Sequence, residues 1–375
     1  MNQLPLTVKR SIELLGLCLI IALFSVANAI IMPLLMAFFI SLMLLPMFRF
    51  LRRIKIPEII AIVLVILAAA LIIILILGFF SLQIASLVKD FPQLEKNLNQ
   101  HWRTLSDWIN RNLNLSADQQ IKVLQDQGNN LLSNAGSYLS GAAVSLTGVF
   151  VFLGLLPIYI FLILFYKNLL LRFIFLWFNR EDHPQVESAL RETEVMVKSY
   201  LIGLMIQVTY MTILLGGILM IIGIKHAMLI AIIFAILNLI PYVGALVGNV
   251  IGVLLTLTSS SELWHVFAVL IAITVVQFLD NNILMPRIVG SKIKINALVS
   301  IIGVIVGGTL AGVSGMFLSL PVIAIFKIIF DHTAEFRHWG ILLGDERPGL
   351  SPMTNPAVRL RNRHVRKPDE EDEEE

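Results

Sequence analysis

The chain has 375 residues, of which 57% are apolar and 14% charged, with a mean hydropathy of +0.86. Soluble domains run at about 45–50% apolar and about 25% charged, and one water-soluble core of this size cannot hide so much apolar surface. A soluble globular protein is therefore excluded, as is a disordered one outside the C-terminal tail. The single cysteine, Cys18, excludes an intrachain disulfide and a cysteine-built metal centre, and the formal net charge of +3 is so small that charge placement matters more than its sum.

In chain order, charge-free stretches at 14–48, 59–88, 127–166, 199–224, 226–261, 263–279 and 295–326 mark where a bilayer can sit. A spanning helix needs about 20 apolar residues, so the pattern predicts an all-α polytopic membrane protein of about eight transmembrane passages. The first stretch is expected to hold two shorter helices divided near Met32-Pro33, where proline interrupts the hydrogen-bond ladder. Ala27-Asn28-Ala29 mimics a signal-peptidase site, but the apolar run before it is too long and continues beyond it, which predicts no cleavage.

Basic residues set the direction. Lys9 and Arg10, the loop with Arg49, Arg52, Arg53 and Lys55, the segments 167–198 and 287–294, and the chain from Lys327 onward hold 22 of the 28 Lys and Arg. The positive-inside rule puts all of these, and both termini, in the cytoplasm.

The expected divisions are N-terminal transmembrane helices (1–87), an external amphipathic helical segment (88–142), a transmembrane helix (143–180), a cytoplasmic amphipathic linker (181–200), a transport core (201–331) and a cytoplasmic tail, acidic at its end (332–375). In the external segment Trp102, Leu105, Trp108, Ile109 and Leu113 recur at helical spacing, and Ser116 followed by Asp118 and Gln119 suits a helix start. It reads as a pair of helices on the outer boundary, with a substrate gate or an oligomer contact as the alternative. In the linker Glu187 and Arg191 can pair at i,i+4.

Charged residues deep in a span are costly and mark pathways. Among the 25 acids, Asp280 is the one set well inside an apolar span among polar neighbours. Gln277, Asp280 and Asn281 stand at i, i+3, i+4 and are expected to share a face, and Pro286 interrupts the helix soon after. A carboxylate there can take up a proton or sodium ion. The plainer alternative is a wet residue paired with Arg287.

Residues 238–244 (NLIPYVG) break the next signal. Asn238, Pro241 and Gly244 separate two arms, 227–238 and 244–257, each too short to span. A re-entrant hairpin entering from outside fits them, with freed carbonyls as ligands for ions and polar substrates. Residues 295–330 repeat this from the opposite side, with a bend at Gly312, Ser314 and Gly315 and a second arm passing Pro321. The competing explanation is glycine-assisted packing, since Gly244, Gly248 and Gly252, then Gly303/Gly307 and Gly308/Gly312, keep a GxxxG spacing. Gln207, Thr209, Tyr210 and Thr212 form another polar patch, read as bonded back to its own helix rather than lining a path.

Residues 312–315 (GVSG) match the short GxSG of rhomboid-type proteases. A serine protease needs a base within reach, and His332 lies beyond a long apolar arm. HExxH, the P-loop and a strand-borne GxGxxG are absent from the sequence. No enzyme, cofactor, metal site or nucleic-acid partner is expected, and any pumping would run on an ion or solute gradient.

Taken together, 238–244 (NLIPYVG), 279–290 (LDNNILMPRIVG) and 303–321 (GVIVGGTLAGVSGMFLSLP) resemble the AI-2E family of transporters, the autoinducer-2 exporter-like proteins. The resemblance implies export of small molecules such as that quorum-sensing signal, or sodium(lithium)/proton antiport as ascribed to some relatives. It also implies a bacterial inner (plasma) membrane and a homo-oligomer, a pentamer, with an elevator-like moving part.

By position, Asp280 and Asn281 fall where the family has an acid followed by Gly or Asn. Pro286 and Pro321 fill its prolines, and Asn238, Pro241 and Gly244 its first hairpin tip. Asn296-Ala297 departs from a His/Pro-like pair. The expected roles are ion coupling at Asp280, with protons or Na/Li as the ion. Substrate binding is assigned to Asn281, Gln277, Asn238, Pro241 and Gly244, and hinge motion to Gly312, Gly315 and Pro286. The rival readings are a cation/proton antiporter, a membrane scaffold without transport, and a rhomboid-like protease.

Overall fold

A computed structural model describes residues 25–113, 146–240, 243–259, 262–288 and 295–345, with a few single positions elsewhere. Its elements are α1 (Asn28–Arg53), α2 (Glu58–Leu113), α3 (Leu146–Phe165), α4 (Lys167–Leu176), α5 (His183–Ile222), α6 (Ala227–Leu237), α7 (Val243–Ser259), α8 (Leu263–Leu279), α9 (Met285–Ile288), α10 (Ala297–His332) and α11 (Arg337–Leu343). No strand occurs among the described residues. In lipid each backbone polar group must be satisfied within the chain, and helices do this segment by segment.

Apolar side chains face outward as well as inward: Leu71, Ile74 and Leu75 of α2 and Ile221 of α5 are all exposed. This is the surface of a multi-pass membrane protein. Among the described residues five helices are long and apolar enough to cross, or six if α3 and α4, bent by 64° where they join, count as one span. The expected count of about eight, which included hairpin arms, is not confirmed among the described residues, and α6 and α7, with 11 and 17 residues, fall short of the usual ~20 as expected of such arms.

The first apolar run divides at Ala27 (φ −91°, ψ 13°), ahead of the expected Met32-Pro33, and Pro33 is buried inside α1. A proline within a membrane helix is tolerated where neighbours re-satisfy the freed carbonyl. α2 is one unbroken helix of 56 residues, so the expected boundary at 87/88 is no interruption of the backbone. The expected helix start at Ser116 lies outside the described residues.

α5 ties the molecule together. One face packs Met211 and Leu215 against Phe234 of α6 and Val269 and Ile273 of α8. Further back, Tyr200 and Leu204 join Phe39 of α1 and Leu318 of α10. A third cluster, with Phe48, Ile62, Val65 and Ile160, closes α1, α2 and α3 on one another.

Both expected breaks are present in the backbone. α6 ends at Leu237 and α7 begins at Val243. α10 is interrupted at Ala311 (φ −144°, ψ 20°) and Gly312 (φ 59°, ψ −144°). Beyond this bend the arms fold back closely, since a Cβ added to Gly307 or Gly315 would strike the other's backbone carbonyl. α10 is therefore a helical hairpin rather than a straight 36-residue rod.

The break frees the Leu310 carbonyl, and Asn28 Nδ2 of α1 donates to it at 3.0 Å. Asn28→Ala is expected to lower stability by about 1 kcal/mol, the usual net worth of one hydrogen bond. A lower thermal unfolding midpoint of the purified protein would show it.

Charges gather at one end of the bundle. Arg49 of α1 makes a two-pronged bond to Glu194 of α5, at 2.6 and 3.1 Å. Lys167 approaches Glu58 at 3.9 Å, and His332 approaches Glu192 at 3.7 Å. The i,i+4 pair Glu187–Arg191 forms at 2.6 Å.

Candidate functional site

Asp280 follows α8 at the start of a π-wound turn, Asp280–Leu284. Such widened turns are rare and gather at functional positions. Its side chain is 1% exposed and faces α5 and the end of α6. Gln207 Nε2 donates to Oδ2 at 2.9 Å, Asn238 Nδ2 donates to the same oxygen at 3.2 Å, and the Tyr210 hydroxyl donates to Oδ1. A carboxylate can only accept, which fixes both amides with their NH₂ groups toward it. Three donors from two separate elements offset the large cost of burying this group.

Each donor is aimed by its helix. Gln207 and Tyr210 are three residues apart on α5 and so share one face. Asn238 ends α6, and its Nδ2 also reaches Met211 Sδ of α5 at 3.2 Å. Gly244 at the start of α7 lies so close that a Cβ there would overlap Asn238 Cα. Only glycine lets α7 close over that corner. Pro241 lies outside the described residues.

Gln277 and Asn281 point elsewhere. Gln277 Nε2 donates to Asn281 Oδ1 at 3.1 Å, Asn281 is exposed, and neither bonds Asp280. The expected shared face divides because successive residues of a helix project about 100° apart, so Asp280 and its neighbour cannot both look inward. Arg287 is exposed and makes no ion pair with Asp280 among the described residues. Gly312 and Gly315 lie at the α10 bend and against its opposite arm, and Pro286 lies in α9.

Gln207 and Tyr210 are the partners that sequence reasoning assigned to an inert patch. Thr209 does bond back to Met205 O at 2.8 Å. The available signal was two bulky polar groups at i,i+3 in an otherwise apolar helix. Glycine packing operates at the same time, since Gly248 abuts the Phe234 ring and Gly252 abuts Ile273.

Ser314 and His332 do not come together as nucleophile and base. Ser314 and His332 sit on one helical arm, about 27 Å apart at 1.5 Å per residue. His332 Nδ1 meets the Ile328 carbonyl at 2.9 Å instead. What remains is one buried carboxylate, neutral donors and two helix breaks, a set suited to binding and releasing a small charged or polar species.

Outward apolar faces and helices long enough to cross mark a multi-pass membrane protein, and a buried acid beside an interrupted helix is the feature that marks pathways in such proteins. The sequence model of the AI-2E family transporter matches residues 14–335, and the chain belongs to that family. It is 25% identical over 322 residues to "AI-2 transport protein TqsA" of Escherichia coli (strain K12), covering 85% of this chain and 90% of that one. "Putative transport protein YhhT" of the same strain is 24% identical over 347 residues, 90% of this chain and 94% of that one. "Putative transport protein YrrI" of Bacillus subtilis (strain 168) is 30% identical over 148 residues, 40% of this chain and 41% of that one, so the match spans less than half of YrrI. The family gives this chain a membrane transport role.

Proposed function

We propose that the chain exports a small polar solute, autoinducer-2 being the one in a relative's name, by ion-coupled alternating access. The observation that carries this reading is the burial of Asp280 under donors from α5 and α6, beside a helix break. Asp280 takes the coupling proton or cation. Asn238 and Gly244, with Pro241 between them, and the Gln277–Asn281 pair offer polar groups to the solute. Gly312, Gly315 and Pro286 absorb the motion, and 201–331 moves against the N-terminal helices. The gathering of charge at one end supports a bacterial inner-membrane orientation with both termini cytoplasmic, and the family resemblance supports a homo-oligomer.

Proteoliposomes loaded with autoinducer-2 test this reading, with release required on imposing an ion gradient. Gln207→Leu is expected to slow that release about tenfold or more, because a hydrogen bond to a charged group is worth about 1.5–3 kcal/mol. Unchanged release would remove Gln207 from the site.

A second reading, monovalent cation/proton antiport, is favoured by Gln207 Oε1. This acceptor is buried with no partner among the described residues, on the same amide that bonds Asp280. Together the two groups offer oxygens to a bare cation. A pH-sensitive dye responding to sodium or lithium without organic solute would put antiport first.

A further inference from the structure

The C-terminal end of α1 and the charged N-terminal part of α5 border an open cavity of about 250 Å³ lined by Pro46, Arg49, Phe50, Arg53 and Lys198. Glu194 balances Arg49 and fixes its guanidinium through the two-pronged bond. Arg53 and Lys198 have no acidic partner among the described residues, so the wall carries uncompensated positive charge. The volume lies below the ~300–1,000 Å³ that encloses a drug-sized ligand.

Its depth follows from the neighbouring elements. Both helices are long and apolar enough to cross a membrane, and the apolar part of α1 ends at this cavity, where Phe50 is exposed. At the same end Lys167 sits 4.1 Å from the Phe48 ring centre, and α4 turns away from α3 with Phe173 exposed on it and Trp177 and Phe178 exposed just after it. A helix leaving a span at a steep angle with bare aromatic residues suits the membrane–water boundary, where aromatic side chains gather.

We propose that this cavity binds the phosphate of an anionic phospholipid headgroup. Arg53 and Lys198 contact the phosphate oxygens, and Phe50 lies along the start of the acyl chains. Basic pockets between membrane helices suit such headgroups, and a guanidinium matches phosphate geometry. The site is separate from Asp280 and does not depend on which solute is carried.

The test uses the full chain in phosphatidylcholine nanodiscs titrated with phosphatidylglycerol, with bound lipid counted by native mass spectrometry. The double variant Arg53→Gln/Lys198→Gln is expected to bind phosphatidylglycerol about thirtyfold more weakly, or about 2 kcal/mol at 1.4 kcal/mol per tenfold. The charge-preserving pair Arg53→Lys/Lys198→Arg retains binding.

Neutralising Lys55 and Arg180, exposed but outside the cavity, has little effect. Undiminished binding in the first variant, or an equal loss in the Lys55/Arg180 variant, would overturn the assignment, the second outcome meaning bulk attraction. Displacement of the lipid by millimolar inorganic phosphate would also overturn it, in favour of a free-anion site. Matching thermal unfolding of all three double variants excludes misfolding as the cause.

Discussion

Asp280→Asn is expected to reduce coupled transport to background while the purified protein stays folded. Asparagine keeps the shape and one acceptor oxygen, and the amide of Gln207 or Asn238 can turn to present its own oxygen to the new NH₂. The unfolding midpoint then moves by a few degrees at most, as for changes of about 1 kcal/mol or less. What disappears is the group that takes and releases a proton or cation.

Asp280→Leu separates that role from folding. It leaves the donors of Gln207, Tyr210 and Asn238 facing an alkyl chain, at about 1–3 kcal/mol for each one left unsatisfied. The sum is a large part of a total stability of about 5–15 kcal/mol, so this variant is expected to be recovered poorly or unfolded. Normal flux from a folded Asp280→Asn protein would end the coupling role and favour a scaffold without transport.

Gly312→Val is expected to have the second-largest effect. With φ 59° and ψ −144°, Gly312 occupies backbone space almost closed to residues with a Cβ. Forcing valine there costs about 1–3 kcal/mol or straightens the bend. Straightening would pull Gly307 away from Gly315 and remove the Leu310 carbonyl from Asn28. Flux and unfolding midpoint should fall together. Val313→Ala, an exposed neighbour at the same bend, is expected to change neither measurement. Equal behaviour of the two variants would show that the bend is not held by glycine.

Much of this was legible in the sequence because it is written locally. Apolar composition requires a membrane, and the membrane requires helices. Proline, asparagine and glycine at 238–244 and glycine at 312 interrupt those helices by removing donors or permitting unusual dihedrals, and the structure breaks at both places. A lone acid in a long apolar run is visible without any partner being known.

What the acid touches is a different matter. Gln207 and Tyr210 stand 73 and 70 residues before Asp280 and meet it only because α5 packs beside α8 with one particular face turned inward. Periodicity gives a helix its faces but not the neighbour each face meets. For the same reason the sequence could not turn Asn281 outward, place Asn28 on the α10 bend, or bring Arg53 and Lys198 to one cavity. Those contacts depend on how whole helices lean on one another, which only the assembled fold decides.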